Sequence, residues 1–155
     1  MTAPDRIKYR VERALEIAAP PAAVWDQITA VRTWPEWKPF IARTVLEEDR
    51  LSLGSRFKMH IRVKGSFAAP VSVRVCDWQP LRRIAWTGGI PGVSMSVHSF
   101  MLEAKDGRTL LTSREEFSGA LVWLMLRLVT PADLESLHDR WLLAIKNRVE
   151  RPPVP

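Results

Sequence analysis

From Arg56 to Lys64 the chain alternates without a fault. Phe57, Met59, Ile61 and Val63 fall on one side, and Arg56, Lys58, His60, Arg62 and Lys64 on the other. Successive side chains of a strand point to opposite faces, so this run has one dry face and one basic, wet face. A helix does not satisfy the pattern, because a 3.6-residue repeat scatters the charges around its axis. The chain must therefore contain a sheet covered on one side, the usual condition of antiparallel sheets.

A cover is legible at the other end. Thr130-Pro131-Ala132-Asp133 is a helix start, with Thr130 as N-cap, Pro131 in the first turn and Asp133 near the positive end of the helix. Leu134, Leu137, Trp141 and Ile145 then recur at spacings of three and four, with Arg148 and Val149 continuing the stripe. This predicts a long helix to about Glu150 with Arg140, Lys146, Asn147 and Arg151 facing away, stopped by Pro152 and Pro153.

Between these landmarks the strand signals dominate. Val11–Ile17 and Val71–Val75 alternate, and Phe40–Glu48 and Leu81–Thr87 read as further strands. Gly88–Gly92 reads as a flexible loop. Val93–Ala104 and Thr109–Ser118 form a hairpin around Asp106-Gly107, a strong turn signal. Pro20-Pro21 opens a short helix to about Ala30 with Val24, Trp25 and Ile28 on one side. Trp34-Pro35-Glu36-Trp37-Lys38-Pro39-Phe40 adds one helical turn and an extended exit, and so much aromatic surface must cover something apolar. Ala120–Val129 reads as a helix, largely buried or covering. Strand, two short helices, six strands and a long helix make an α+β domain, one unit over 1–155 with its core at about 8–150. A helix laid across a curved sheet leaves a space between them, the default ligand site.

Composition narrows the function classes. The net charge is +6, but residues 50–83 hold eight Lys or Arg against the single Asp77, and the remainder is close to neutral. The face Arg56/Lys58/His60/Arg62/Lys64 either is solvated or touches an anionic membrane or acidic partner. Nucleic acid fits less well, since aromatics do not interleave with the charge. The lone Cys76 excludes an intrachain disulfide and reads as a small packing residue; the expected setting is a reducing cytoplasm. Met1–Arg10 has no apolar signal-peptide core, and Ala120–Val129 is too short to span a bilayer. His60, His98 and His138 are scattered without metal-ligand spacing, so no metal is expected. No cofactor is expected either: the chain has neither a phosphate-binding glycine loop nor a G-x-S-x-G elbow.

Several short motifs in order carry a resemblance. They are Pro20-Pro21-x-x-Val24-Trp25, Trp34-Pro35-x-Trp37-x-Pro39, Pro80 followed by Leu81 to Trp86, His98-Ser99-Phe100-x-Leu102, and Glu115-x-Phe117-x-Gly119 before the terminal helix. Together they resemble the helix-grip superfamily (START-like and Bet v 1-like, or SRPBCC, domains), specifically its polyketide cyclase/dehydrase-type branch. The resemblance covers about residues 8–150. It implies a curved antiparallel sheet of about seven strands wrapped around a long C-terminal helix, with two short helices after the first strand. It does not imply one function, because this fold hosts carriers, enzymes and receptors.

The resemblance turns the face of His98, Phe100 and Leu102 toward the cavity. If Leu111 and Phe117 point inward on the next strand, so do Ser113 and Glu115. A His and a carboxylate in an apolar cavity can exchange a proton or orient a ligand carbonyl; the plainer alternative is a buried pair that fixes the sheet. Trp37, Phe40, Phe57, Met59, Trp86 and Phe100 are candidates for the apolar wall, as are Phe117, Trp123 and Trp141. Arg13 and Arg148 are placed either to meet a ligand carboxylate at the mouth or to snorkel to solvent. The leading expectation is a module that binds a hydrophobic small molecule: a lipid, polyketide or polycyclic compound. The rival is a cyclase/dehydrase-like enzyme using His98 and Glu115 for proton transfer. The third is an interaction module docking a protein, RNA or membrane through the basic face.

Overall fold

A computed structural model describes residues 6–151. Met1–Asp5 and the Pro152-Pro153 stop lie outside the described residues. In chain order come β1 (Ile7–Ile17), α1 (Pro21–Thr29), a 3-10 turn (Val31–Thr33), α2 (Trp34–Trp37), β2 (Ile41–Leu46) and β3 (Arg56–Ile61). β4 (Ala69–Gln79), β5 (Arg83–Ile90), β6 (Ser94–Lys105), β7 (Arg108–Ser118), α3 (Val122–Leu128) and α4 (Pro131–Glu150) follow. Among the described residues the seven strands form one sheet in the order β1-β7-β6-β5-β4-β3-β2. Every neighbouring pair is antiparallel. The long α4 packs on β1 and α1. This is the helix-grip α+β architecture.

The β6–β7 hairpin sets the register that matters most. Asp106 and Gly107 both take positive φ, 52° and 76°, the conformation of the two-residue turn that matches strand twist. Pairing then runs unbroken from Lys105↔Arg108 to Met95↔Ser118, placing His98 opposite Glu115 and Phe100 opposite Ser113. β1 closes on the far side of β7, with Arg13 opposite Ser113.

α4 begins as its sequence requires. Thr130 accepts from the Asp133 backbone N–H, and the Asp133 carboxylate accepts from that of Thr130, a complete capping box. Such a cap is worth about 1 kcal/mol. The helix buries Leu134, Leu137, His138, Trp141, Leu142 and Ile145. Leu137, Trp141, Leu142 and Ile145 join the main core with Trp34, Phe57, Trp86 and Phe100. A smaller cluster of Val11, Phe117, Val122 and Leu134 ties β1 and β7 to α3 and α4.

Four expectations need correction. Gly88–Ile90 is strand, not loop: a Cβ on Gly89 would sit 2.2 Å from the Ser94 carbonyl oxygen, so glycine here permits close pairing rather than flexibility. On β3 the alternation holds, with Phe57, Met59 and Ile61 buried, but the strand ends at Ile61. Arg62 therefore bends back onto the Pro39 carbonyl, and Lys64 reaches Asp133 on α4. Cys76 faces solvent because the two-residue period of β4 puts it on the outward side with Ser72 and Arg74, opposite the buried Val73 and Val75. α3 covers the smaller cluster with Val122 but leaves Trp123, Leu124 and Leu128 exposed. No helix among the described residues is long and apolar enough to cross a membrane.

Candidate functional site

Four polar side chains meet beneath α4. His98 Nε2 lies 2.8 Å from Ser113 Oγ, which lies 2.7 Å from His138 Nδ1. His138 Nε2 is 3.0 Å from Glu115 Oε2. The order His98–Ser113–His138–Glu115 is thus a continuous hydrogen-bonded relay. His98, Ser113 and His138 are buried, while the Glu115 side chain is 15% exposed at its outer end.

Three elements place these groups. Cross-strand pairing brings β6 and β7 together, and their two-residue period turns His98, Ser113 and Glu115 to the α4 side. His138 comes from α4, four residues after Leu134 and three before Trp141, on the same buried stripe. His98 and Glu115 face inward as the sequence implies, but each bonds to another side chain rather than to the other. His138 joins them, and its helical spacing was the signal that could have found it.

The donor directions follow from the acceptor end. An ionised carboxylate only accepts, so His138 donates to Glu115 from Nε2. In a neutral ring Nδ1 then accepts from Ser113, whose oxygen accepts from His98 Nε2–H. The remaining lone pair of neutral His98 lies on Nδ1. Burial, reinforced by His138 and Lys38, holds the His98 imidazole well below its usual pKa, so the neutral form is the one the site favours.

The relay ends at an apolar space of about 240 Å³ between the sheet, α3 and α4. Of the expected wall residues, Met59, Trp86, Phe117 and Trp141 line it with His98 and Glu115. Phe57 and Phe100 stand one row behind, packed edgewise or tilted on Trp86 at 5.6 and 5.7 Å. Ser113 serves the relay from within the sheet. Trp37 and Phe40 line a different, outer groove. Trp123 is 58% exposed on the outer side of α3, where Arg127 lies over its ring, and is not part of the inner wall. Arg13 is held by Asp139 in a two-bond pair outside the space.

Lys38 is the second residue that the sequence pattern does not announce. Its side chain is fully buried, and Nζ has no hydrogen-bond partner. Nζ lies 3.9 Å from the ring centres of Trp34 and Trp141 and 4.6 Å from that of Trp37. Burial holds its pKa well below the usual lysine value. Among the described residues no group of three or more His, Cys, Asp or Glu side chains could hold a metal ion.

The model of the family described as polyketide cyclase/dehydrase and lipid transport matches residues 8–150. The chain belongs to that family. No curated protein matches this member by sequence. Among solved structures it is similar to the Zhui aromatase/cyclase from Streptomyces sp. R1128, with a TM-score of 0.72 and 23% identity over 92% of this chain and 94% of that one. A START superfamily protein from Mycobacterium smegmatis gives a TM-score of 0.70 and 16% identity, over 91% and 97% of the two chains. TTHA0849 from Thermus thermophilus gives 0.75 and 12%, over 92% and 97%. At these identities the likeness is one of fold. This polyketide cyclase/dehydrase-family protein carries the polar set of two histidines, a serine and a glutamate described above.

Proposed function

We propose that this protein binds an apolar small molecule bearing a carbonyl or hydroxyl group, in the space between the sheet and α4. Residues 8–150 act as one binding unit. The observation that carries the reading is the relay's position: a fully hydrogen-bonded polar chain delivers His98 to the edge of an aromatic wall. Met59, Trp86, Phe117 and Trp141 supply apolar contact, and His98 and Glu115, both in the lining, supply directional contacts that orient the ligand. At about 240 Å³ the space is smaller than the roughly 300–1,000 Å³ of drug-sized pockets. A lipid or polycyclic ligand therefore requires α3, which walls the space with Met125, to shift outward.

The relay also favours a second reading, proton transfer of the cyclase/dehydrase kind. A proton taken from substrate carbon by His98 Nδ1 releases the Nε2 proton to Ser113. Ser113 passes its own proton to His138 Nδ1, and the His138 Nε2 proton goes to Glu115, so each group ends with its charge accounted for.

Native mass spectrometry of the purified protein tests binding: a co-purifying apolar molecule is expected, and a persistently empty protein counts against it. His98→Ala and Glu115→Gln separate the two readings. Loss of turnover with ligand affinity nearly intact identifies catalysis, whereas equal losses of both identify orientation alone.

A further inference from the structure

Phe40, packed at 5.2 Å on Trp141, faces a second space. This is an outer groove of about 600 Å³ between α2, the segment after β3 and the outward side of α4. Its apolar surface is Trp37, Phe40, Leu143 and Ala144; its charges are Arg62, Arg140, Arg148 and Arg151, and no Asp or Glu lines it among the described residues.

What marks the groove is the convergence of four arginines on one apolar surface with no carboxylate in its lining among the described residues. Five guanidinium groups elsewhere meet carboxylates: Arg10 with Glu116, Arg13 with Asp139, Arg83 with Asp77, Arg108 with Glu16 and Arg114 with Glu12; others, such as Arg32 on the Leu46 and Glu48 carbonyls, do not. In the groove three of the four are held by neutral groups. Arg62 donates to the Pro39 carbonyl at 2.9 Å, and Arg140 to the Val63 carbonyl at 3.1 Å. Arg148 donates to the Gln27 side-chain oxygen at 3.2 Å. Arg140 Nε is buried without a partner. Arg140 also lies over the Phe40 ring and Arg148 over Trp37, at 5.5 and 5.9 Å. Fixed positive charge without a counter-charge, beside the partly exposed Trp37 and the exposed Leu143, is the complement of an oxyanion on an apolar body.

We propose that this groove is a binding site, separate from the inner space, for an amphipathic organic anion. Its apolar body lies on Trp37 and Leu143, and its carboxylate or phosphate head is held by Arg62, Arg140 and Arg148. Leu143 is 52% exposed, an apolar floor left open to receive such a body.

Isothermal titration of the full chain with dodecanoate, dodecyl phosphate, dodecanol and inorganic phosphate tests this, each below its micelle concentration. Both alkyl anions are expected to bind at least about tenfold more tightly than dodecanol or inorganic phosphate, and the tighter of the two identifies the head group. Added salt should weaken them. Leu143→Glu should weaken binding by about tenfold or more, Leu143→Gln by less, and Arg148→Gln by about threefold to tenfold. Arg148→Gln keeps the test alive if Leu143→Glu does not fold. In amide and indole NMR spectra the shifts should centre on Trp37, Gly65 and Asn147. Equal affinity for dodecanol, indifference to both Leu143→Glu and Arg148→Gln, or shifts centred on Phe117 and Val129 would each overturn the proposal. So would binding to anionic vesicles with none of the monomeric anions. Because inner-space residues appear separately in the same spectra, failure of that site is distinguishable from failure of this one.

Discussion

Trp141 separates two buried nitrogen-bearing sites that solve the same problem differently. On one side His98 has its ring 5.5 Å from the Trp141 ring and passes its hydrogen bond along a complete relay. On the other side Lys38 Nζ sits 3.9 Å from the same indole and has no hydrogen bond at all. A buried polar group with a partner costs little, whereas one without a partner carries its full desolvation penalty. The relay is therefore polarity that the fold supports. Lys38 is polarity that the fold tolerates, and aromatic faces are its entire compensation.

The sharpest way to break this contrast is to unpartner the relay. Ser113→Ala strands His98 Nε2 and His138 Nδ1 together, and should lower the unfolding free energy by about 2–4 kcal/mol in urea titration. A loss below about 1 kcal/mol would mean that the relay contributes no more than the lysine cage does. Next in size is Lys38→Met, which keeps the packing volume and removes the amine. It should raise stability by about 1–3 kcal/mol at neutral pH; a destabilised variant would show that the three indoles more than offset desolvation.

The same variant has a pH signature. Because Lys38 has a depressed pKa when folded, the unfolded chain binds more protons in the interval below the usual lysine value of about 10.4. Wild-type stability should therefore rise with pH through that interval relative to Lys38→Met, and the two curves should run parallel above it. The smallest effect is at the acid end. His98 also refuses a proton that the unfolded imidazole accepts. Its contribution should be lost as pH falls below about 6.5, with a slope of at most about 1.4 kcal/mol per pH unit, and His98→Gln should flatten that slope.

Much of the architecture is local chemistry and was legible as such. The alternation at 56–61, the Asp106-Gly107 turn and the Thr130–Asp133 cap each act over a few residues, so their meaning does not depend on distant parts of the chain. His98 and Glu115 were legible as inward-facing because strand period is also local. Their connection was not. It is completed by His138, which lies 25 residues beyond Ser113 and joins the site once α4 lies across β7. The histidines look scattered along the chain because the relay is assembled in space. Lys38 fails for a related reason: a lysine between Trp37 and Pro39 reads as a solvent-facing charge until Trp141 arrives from α4. Trp123 errs the other way, since α3 is too short to bury more than one side.

Ile7 pairs with Ser118, and β1 runs beside β7 along nearly its whole length. During synthesis, β1 has left the ribosome long before its partner exists, so for most of translation it is an unpaired strand with Val11 and Ile17 uncovered. The β6–β7 hairpin, closed by a two-residue turn, can zip within microseconds of emerging. The slow event is the return of β1 across about a hundred residues of chain, and the protein's exposure to misassembly is concentrated in that wait.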